Sequence, residues 1–168
     1  MGPLSQIRIE EHAGPRSELR SLFELAEDSA AQLSSYLGSG RVLVAVTGES
    51  IVGHLQLTET AMPGEIEIKN LAVLPAQRRR GIGRALVEAA IALSHEQSRS
   101  TVRVATAAAD IANLRFYQRL GFRMRSIERD AFTAATGYDP DAKVDGIALR
   151  DRVWLDRPVD AADQSTAG

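Results

Sequence analysis

The chain predicts a single α+β domain, and three observations carry that expectation. Its 168 residues fit one domain with a buried core. Segments with strict apolar–polar alternation are interleaved with segments whose apolar residues recur every three or four positions. The run Gln77-Arg78-Arg79-Arg80-Gly81-Ile82-Gly83-Arg84-Ala85-Leu86 then joins a strand pattern directly to the longest helical pattern.

The elements follow in order. Residues 5–11 alternate and read as a first strand, broken by Gly14-Pro15. Leu19, Leu22, Phe23 and Ala26 recur at helical spacing, with Ser17 as the expected N-cap. A second short helix is expected from Asp28 or Ser29 to Leu37, ended by Gly38. Val42–Val46 and Ile51–Leu57 form a hairpin around Gly48-Glu49-Ser50, and Pro63-Gly64 turns into a fourth strand over 65–73. In that strand Ile66 and Ile68 share one parity, whereas Leu71 and Val73 have the other. A strand alternates strictly, so the slip predicts a β-bulge near Lys69-Asn70.

After Pro75, a helix from Gly81 to about Ser98 is expected to bury Ile82, Leu86, Ala89, Ala90 and Leu93. A fifth strand over 101–106 and a helix from Asp110 to Arg119, closed by Gly121, follow. A strand from Phe122 to Glu128, a long loop over 130–145 and a last strand over 147–156 complete the domain. The domain is drawn as 1–157, and the small, polar tail 158–168 is expected to be disordered.

Bulk properties narrow the function classes. The formal net charge is −2, so no general affinity for nucleic acid or anionic membrane is implied. There is no cysteine, which removes disulfides, thiolate metal sites and a cysteine nucleophile. No residue set has metal-ligand spacing, no apolar stretch is long enough to span a bilayer, and the N-terminus lacks a signal peptide's pattern. A cytoplasmic location is therefore the expectation.

The arginine–glycine run has a definite physical reading. Glycine lets the backbone turn tightly and approach a ligand, and the following helix offers unpaired N–H groups at its positive end. Arginines add phosphate-matched donors, so a bound pyrophosphate is expected. A dinucleotide fingerprint would need a third glycine where Leu86 stands, and a P-loop would need Gly-Lys-Ser/Thr. A solvated face or a nucleic-acid patch are the alternatives for the run taken alone.

Two signatures in order resolve that choice by resemblance. Asn70-Leu71-Ala72-Val73 precedes Arg78-Arg79-Arg80-Gly81-Ile82-Gly83, and Asn113-Leu114-Arg115-Phe116-Tyr117-Gln118-Arg119-Leu120-Gly121-Phe122 follows. Over residues 5–157 the chain resembles the GNAT superfamily of N-acetyltransferases. The resemblance implies a mixed, splayed seven-stranded sheet flanked by about four helices. It also implies acetyl transfer from acetyl-CoA to an amine, with no covalent enzyme intermediate and no metal.

The resemblance assigns roles residue by residue. Arg78, Arg79, Arg80, Gly81, Ile82, Gly83 and Arg84 would hold the pyrophosphate. Leu71, Ala72 and Val73 would meet the pantetheine arm, and a bulge N–H, that of Leu71, would stabilise an oxyanion. Glu67 aligns with the family's strand-four base, since an alkylamine arrives protonated and must lose a proton. A solvated face shared by Glu65, Glu67 and Lys69 is the alternative. Tyr117 matches the family's acid for the leaving thiolate, against a packing role beside Ile111 and Leu114. Family members carry asparagine where this chain has Asp110, so Asn113 is expected to substitute, or Asp110 to cap the helix.

Acceptor-side expectations are coarser. The 130–145 loop, with Phe132, Tyr138, Asp139 and Asp141, is long enough to cover an acceptor site and to supply carboxylates for a cationic amine, with ordinary surface charge as the alternative. His54 and Trp154 are read as packing residues. A small-molecule amine is the expected acceptor, with protein or peptide acetylation and a non-catalytic CoA sensor as alternatives. A homodimer is possible through an exposed last strand.

Overall fold

A computed structural model describes residues 6–160. Seven strands form one sheet: β1 (Ile7–Glu11), β2 (Arg41–Thr47), β3 (Ser50–Glu59), β4 (Glu65–Val73), β5 (Thr101–Ala107), β6 (Arg123–Glu128) and β9 (Arg152–Pro158). The order across the sheet is β1-β2-β3-β4-β5-β9-β6, and only β4 and β5 run parallel. β7 (Lys143–Val144) and β8 (Ile147–Ala148) form a separate small hairpin.

Four α-helices cover the two faces: α1 (Arg20–Ala26), α2 (Ala30–Tyr36), α3 (Ile82–Glu96) and α4 (Ile111–Arg119). Alternation along β2 assigns each face its core. Val42, Val44 and Val46 pack with Leu22, Phe23 and Leu33 of α1 and α2. Leu43 and Ala45 join Ile82, Leu86, Val87 and Ala90 of α3, together with Leu114 and Tyr117 of α4.

The β4 bulge lies where the parity slip predicts it. Gln56 faces Asn70 but Leu57 faces Ile68, so Lys69 is the extra residue. Its effect on the side chains is specific. Lys69 and Asn70 both reach Tyr36 of α2, while Leu71 and Val73 return to the α3 core. Without the extra residue Asn70 would face α3 and Leu71 would leave that core.

Beyond the bulge β4 parts from β5. The parallel ladder runs only from Glu65↔Thr101 to Ile68↔Val104, whereas β5 stays paired with β9 along its whole length. A bulge bends its own strand, which accounts for the opening. Along β4, Leu74 N–H donates to Val52 of β3, and Arg78 Nε donates to the Val73 carbonyl at 3.1 Å from the other side. Backbone groups alternate in direction, so those of Leu71, like those of Val73, face the opening.

Several boundaries differ from the sequence expectation. Ser17 caps nothing: a 3-10 turn over Arg16–Leu19 precedes α1, whose N-cap Leu19 makes no side-chain bond. Ser29 does cap α2, accepting from the Gln32 N–H at 3.2 Å. The last strand begins at Arg152, because Asp145 and Gly146, both at positive φ, turn Ile147–Ala148 back onto Lys143–Val144. Pro158–Asp160 belong to the fold: Val159 is buried and its N–H donates to Ser100. The rest of the tail, 161–168, lies outside the described residues, as does the start of the first strand pattern before residue 6. β9 is not an exposed edge for dimer pairing; it lies between β5 and β6, and β6 is the edge, with all six residues exposed.

Candidate active site

The opening between β4 and β5 leads into a cavity of about 980 Å³. One end is built from the bulge strand, the arginine–glycine loop and α4. The other is walled by the end of α1, by Tyr36, and by Phe132, Tyr138, Val144, Leu149 and Trp154.

At the first end the backbone is set for an anion. Gly81 is the N-cap of α3 at φ 77°, left-handed backbone that favours glycine, and Arg79 is also left-handed at φ 65°. The open N–H groups of the first turn of α3 therefore face the cavity rim at Gly81, Ile82 and Gly83. Gly83 admits a close neighbour, since a Cβ there would lie 3.3 Å from Phe116 of α4. Arg78, Arg79 and Arg84 line the cavity. Arg80 does not: it is exposed, and its guanidinium donates to Gln77. Arg84 pairs with Glu88 one turn along at 2.8 Å.

Tyr117 and Asn113 come from α4. Asp110 caps that helix, accepting from Asn113 N–H at 3.0 Å, and Asn113 Nδ2 donates to Thr106 at 3.3 Å. Asp110 and Asn113 both line the cavity. Tyr117 is 4% exposed, edge-on to Phe116 and Phe122. Burial, and then the charge of Asp110, push its phenol well above the ordinary tyrosine value, so it holds its proton at neutral pH.

Glu67 reaches the cavity from β4, on the face opposite Ile66 and Ile68. The alternative of a solvated face does not hold for the two glutamates: Glu65 and Glu67 are 6% and 5% exposed, and only Lys69 is exposed. Arg103, opposite Glu67 on β5, donates to it at 2.8 Å, and Lys69 Nζ lies 3.6 Å from its other oxygen. Glu65 is held by Arg125 at 2.8 Å, which keeps its carboxyl below the usual range despite burial. Arg103 also stacks on Trp154, 4.7 Å from the ring centre.

These geometries agree with independent likenesses. The acetyltransferase (GNAT) domain profile matches residues 38–124. The chain is 33% identical over 152 residues to the uncharacterized N-acetyltransferase YvbK of Bacillus subtilis (strain 168), spanning 90% of this chain and 96% of that protein. The protein belongs to the GNAT acetyltransferase family.

Two solved acetyltransferases carry CoA or its acetyl form. A Bacillus subtilis acetyltransferase in complex with CoA superposes with a TM-score of 0.82 at 33% identity, covering 90% of this chain and 98% of its own. A GNAT acetyltransferase from Elizabethkingia anophelis with acetyl-CoA bound gives 0.82 at 26% identity, covering 91% and 98%. The protein is an acyltransferase that uses acetyl-CoA. Its own residues fit that donor: an unpaired β4 edge suits an amide-bearing arm, and the open N–H groups of α3 beside Arg79 suit a pyrophosphate. No cluster of three metal-ligating side chains occurs among the described residues, and no helix there is long and apolar enough to cross a membrane.

The other end of the cavity holds contacts that the sequence reading missed. Glu27, the residue that ends α1, accepts from Tyr36 at 3.2 Å on one oxygen and from Tyr138 at 2.7 Å on the other. Tyr36 also bonds Asn70 Nδ2 at 3.1 Å, and Asn70 Oδ1 accepts from buried His54 at 2.9 Å. His54 stacks on Phe23 and is a packing residue, as expected. Trp154 packs but also lines the cavity. Of the loop residues expected there, Phe132 and Tyr138 line the cavity; Asp139 and Asp141 are exposed outside it.

Proposed function

We propose that the protein moves the acetyl group of acetyl-CoA directly onto the primary amine of a small molecule. The covered acceptor end carries this reading. Segment 129–151 lays Phe132, Tyr138, Val144 and Leu149 along the cavity and ties to the opposite wall through Tyr138 and Glu27. An enzyme that modifies peptides needs an open groove at that end.

Bound acetyl-CoA supplies a thioester carbonyl open to attack by an amine. Leu71 N–H, on the unpaired side of β4, would donate to the oxygen of that carbonyl as negative charge develops. Val73 N–H, on the same side, would pair with the pantetheine arm, while Ala72 faces β3. The α3 amides at Gly81, Ile82 and Gly83, with Arg78, Arg79 and Arg84, would hold the pyrophosphate; Arg80 would contribute through the field of the loop. Glu67 would take the proton of the acceptor ammonium through a water, because Arg103 and Lys69 already occupy its direct contacts. Tyr117 would return a proton to the departing sulfur, and Asn113 would border the arm.

The test is a mass-spectrometric panel of alkylamines, amino acids and peptides with acetyl-CoA. Acetylation of small amines is expected. Acetylation confined to peptides or proteins would replace this reading with the peptide-modifying one.

A further inference from the structure

Glu27 differs from the glutamates of the neighbouring strands in having no cation. Glu67 pairs with Arg103 and Lys69, Glu65 with Arg125 and Arg103, and Glu128 with Arg152. Among the described residues no lysine, arginine or histidine lies within ion-pair distance of Glu27. Its partners are two phenols and the Ser29 N–H at 3.4 Å. Neutral donors satisfy the carboxylate's oxygens but bring no opposite charge. Half-buried on the cavity wall, it lacks a counter-ion that a ligand could supply.

The aromatic walls do not compete for that role. Lys69 already sits 4.9 Å over Tyr36, and Arg152 lies 5.0 Å over Phe132 and 5.9 Å over Trp154. An entering cation meets ring faces already engaged at Tyr36, Phe132 and Trp154. Among the described residues at this end of the cavity, the carboxylates without an ion-pair partner are Glu27 and its exposed neighbour Asp28. Of these, Glu27 is the one fixed by two phenols.

Glu27 is also tied to both walls and to the reaction end. Tyr138 reaches it from the loop, which is pinned where a Cβ on Gly137 would lie 2.4 Å from Ser29 Oγ. Tyr36 links it to Asn70, the residue before Leu71.

We propose that Glu27, clamped by Tyr36 and Tyr138, binds the ammonium group of the acceptor and so selects charged alkylamines over neutral arylamines and anionic acceptors. This rests on the amine-acceptor reading above. The experiment is steady-state kinetics of the wild type, E27Q, E27D and Y138F with the best alkylamine of the panel, alongside CoA affinity by titration and a neutral arylamine. E27Q is expected to raise the alkylamine KM at least tenfold, to change kcat less than threefold and CoA Kd less than twofold, and to leave arylamine kinetics unchanged. E27D and Y138F should fall between E27Q and wild type, and they keep the test open if E27Q does not fold. An alkylamine KM within twofold of wild type in these variants overturns the proposal, as does an equal loss with the arylamine. If only peptide amines are acetylated, the small-molecule reading fails and the same KM comparison on the peptide decides Glu27. If no charged amine is acetylated, the anchor is overturned as well.

Discussion

At the scale of single residues, buried groups carry the proposed chemistry and one of them gives a pH response. Tyr117→Phe deletes only a hydroxyl from a packed ring, so kcat should fall about 10²–10⁴-fold while CoA affinity stays within about twofold, measured by turnover and titration. Glu67→Gln should lower kcat by a comparable factor; an unchanged kcat would remove Glu67 as the base. His54 gives a stability prediction. Burial pushes its imidazole down to about 4, against about 6.5 for an unfolded histidine. The unfolded chain therefore takes the proton first. The contribution is complete above pH 6.5 and is lost as pH falls toward 4, by on the order of 3 kcal/mol. His54→Gln should show a shallower loss of stability between pH 7 and pH 5 in chemical denaturation. Legibility at this scale follows distance along the chain. Tyr117 could be picked out as a candidate because a motif surrounds it, and Glu67 because it stands on the same strand just before one. The cations on Glu67 could not, since Arg103 is contributed by another strand. Glu27 could not either: a single glutamate at a helix end carries no pattern, and its phenols come from Tyr36 and Tyr138.

At the scale of elements, the site depends on how β4 and α3 begin and end. The Lys69 bulge opens the sheet, and Gly81 turns the chain into α3. Gly81→Ala would meet no atom within 4 Å, so its cost is backbone strain alone, about 1–2 kcal/mol by denaturant titration, with weakened CoA binding. Gly83→Ala instead presses on Phe116 and should shift α4, and with it Tyr117. The β4 bulge was readable because isoleucines switch parity to Leu71 and Val73. A second bulge on β3, where Ala45 faces Gly53 but Val46 faces Ile51, was not: Ile51 and Val52 are both apolar, so parity there has no contrast. The β7–β8 hairpin had a usable signal in Asp145-Gly146, overshadowed by the alternation of Ile147 and Leu149.

At the scale of the molecule, donor binding and folding are linked. CoA at 100 times its Kd should stabilise the protein by about 2.7 kcal/mol. For a chain of this size that raises Tm by roughly 5–10 °C, and absence of a shift would contradict the site. The α+β class and the order of the elements were legible because each long pattern has its own period. The sheet order was not, since β9 inserts between β5 and β6 through pairings that no local pattern encodes. That insertion has a practical consequence. It brings the chain's one tryptophan, Trp154, to the acceptor end of the cavity, with its ring under Arg103 and its indole N–H on Glu128. The protein thus carries a built-in optical reporter. Its emission colour and quenching should respond to what fills the acceptor end, so acceptors can be screened by fluorescence without any turnover.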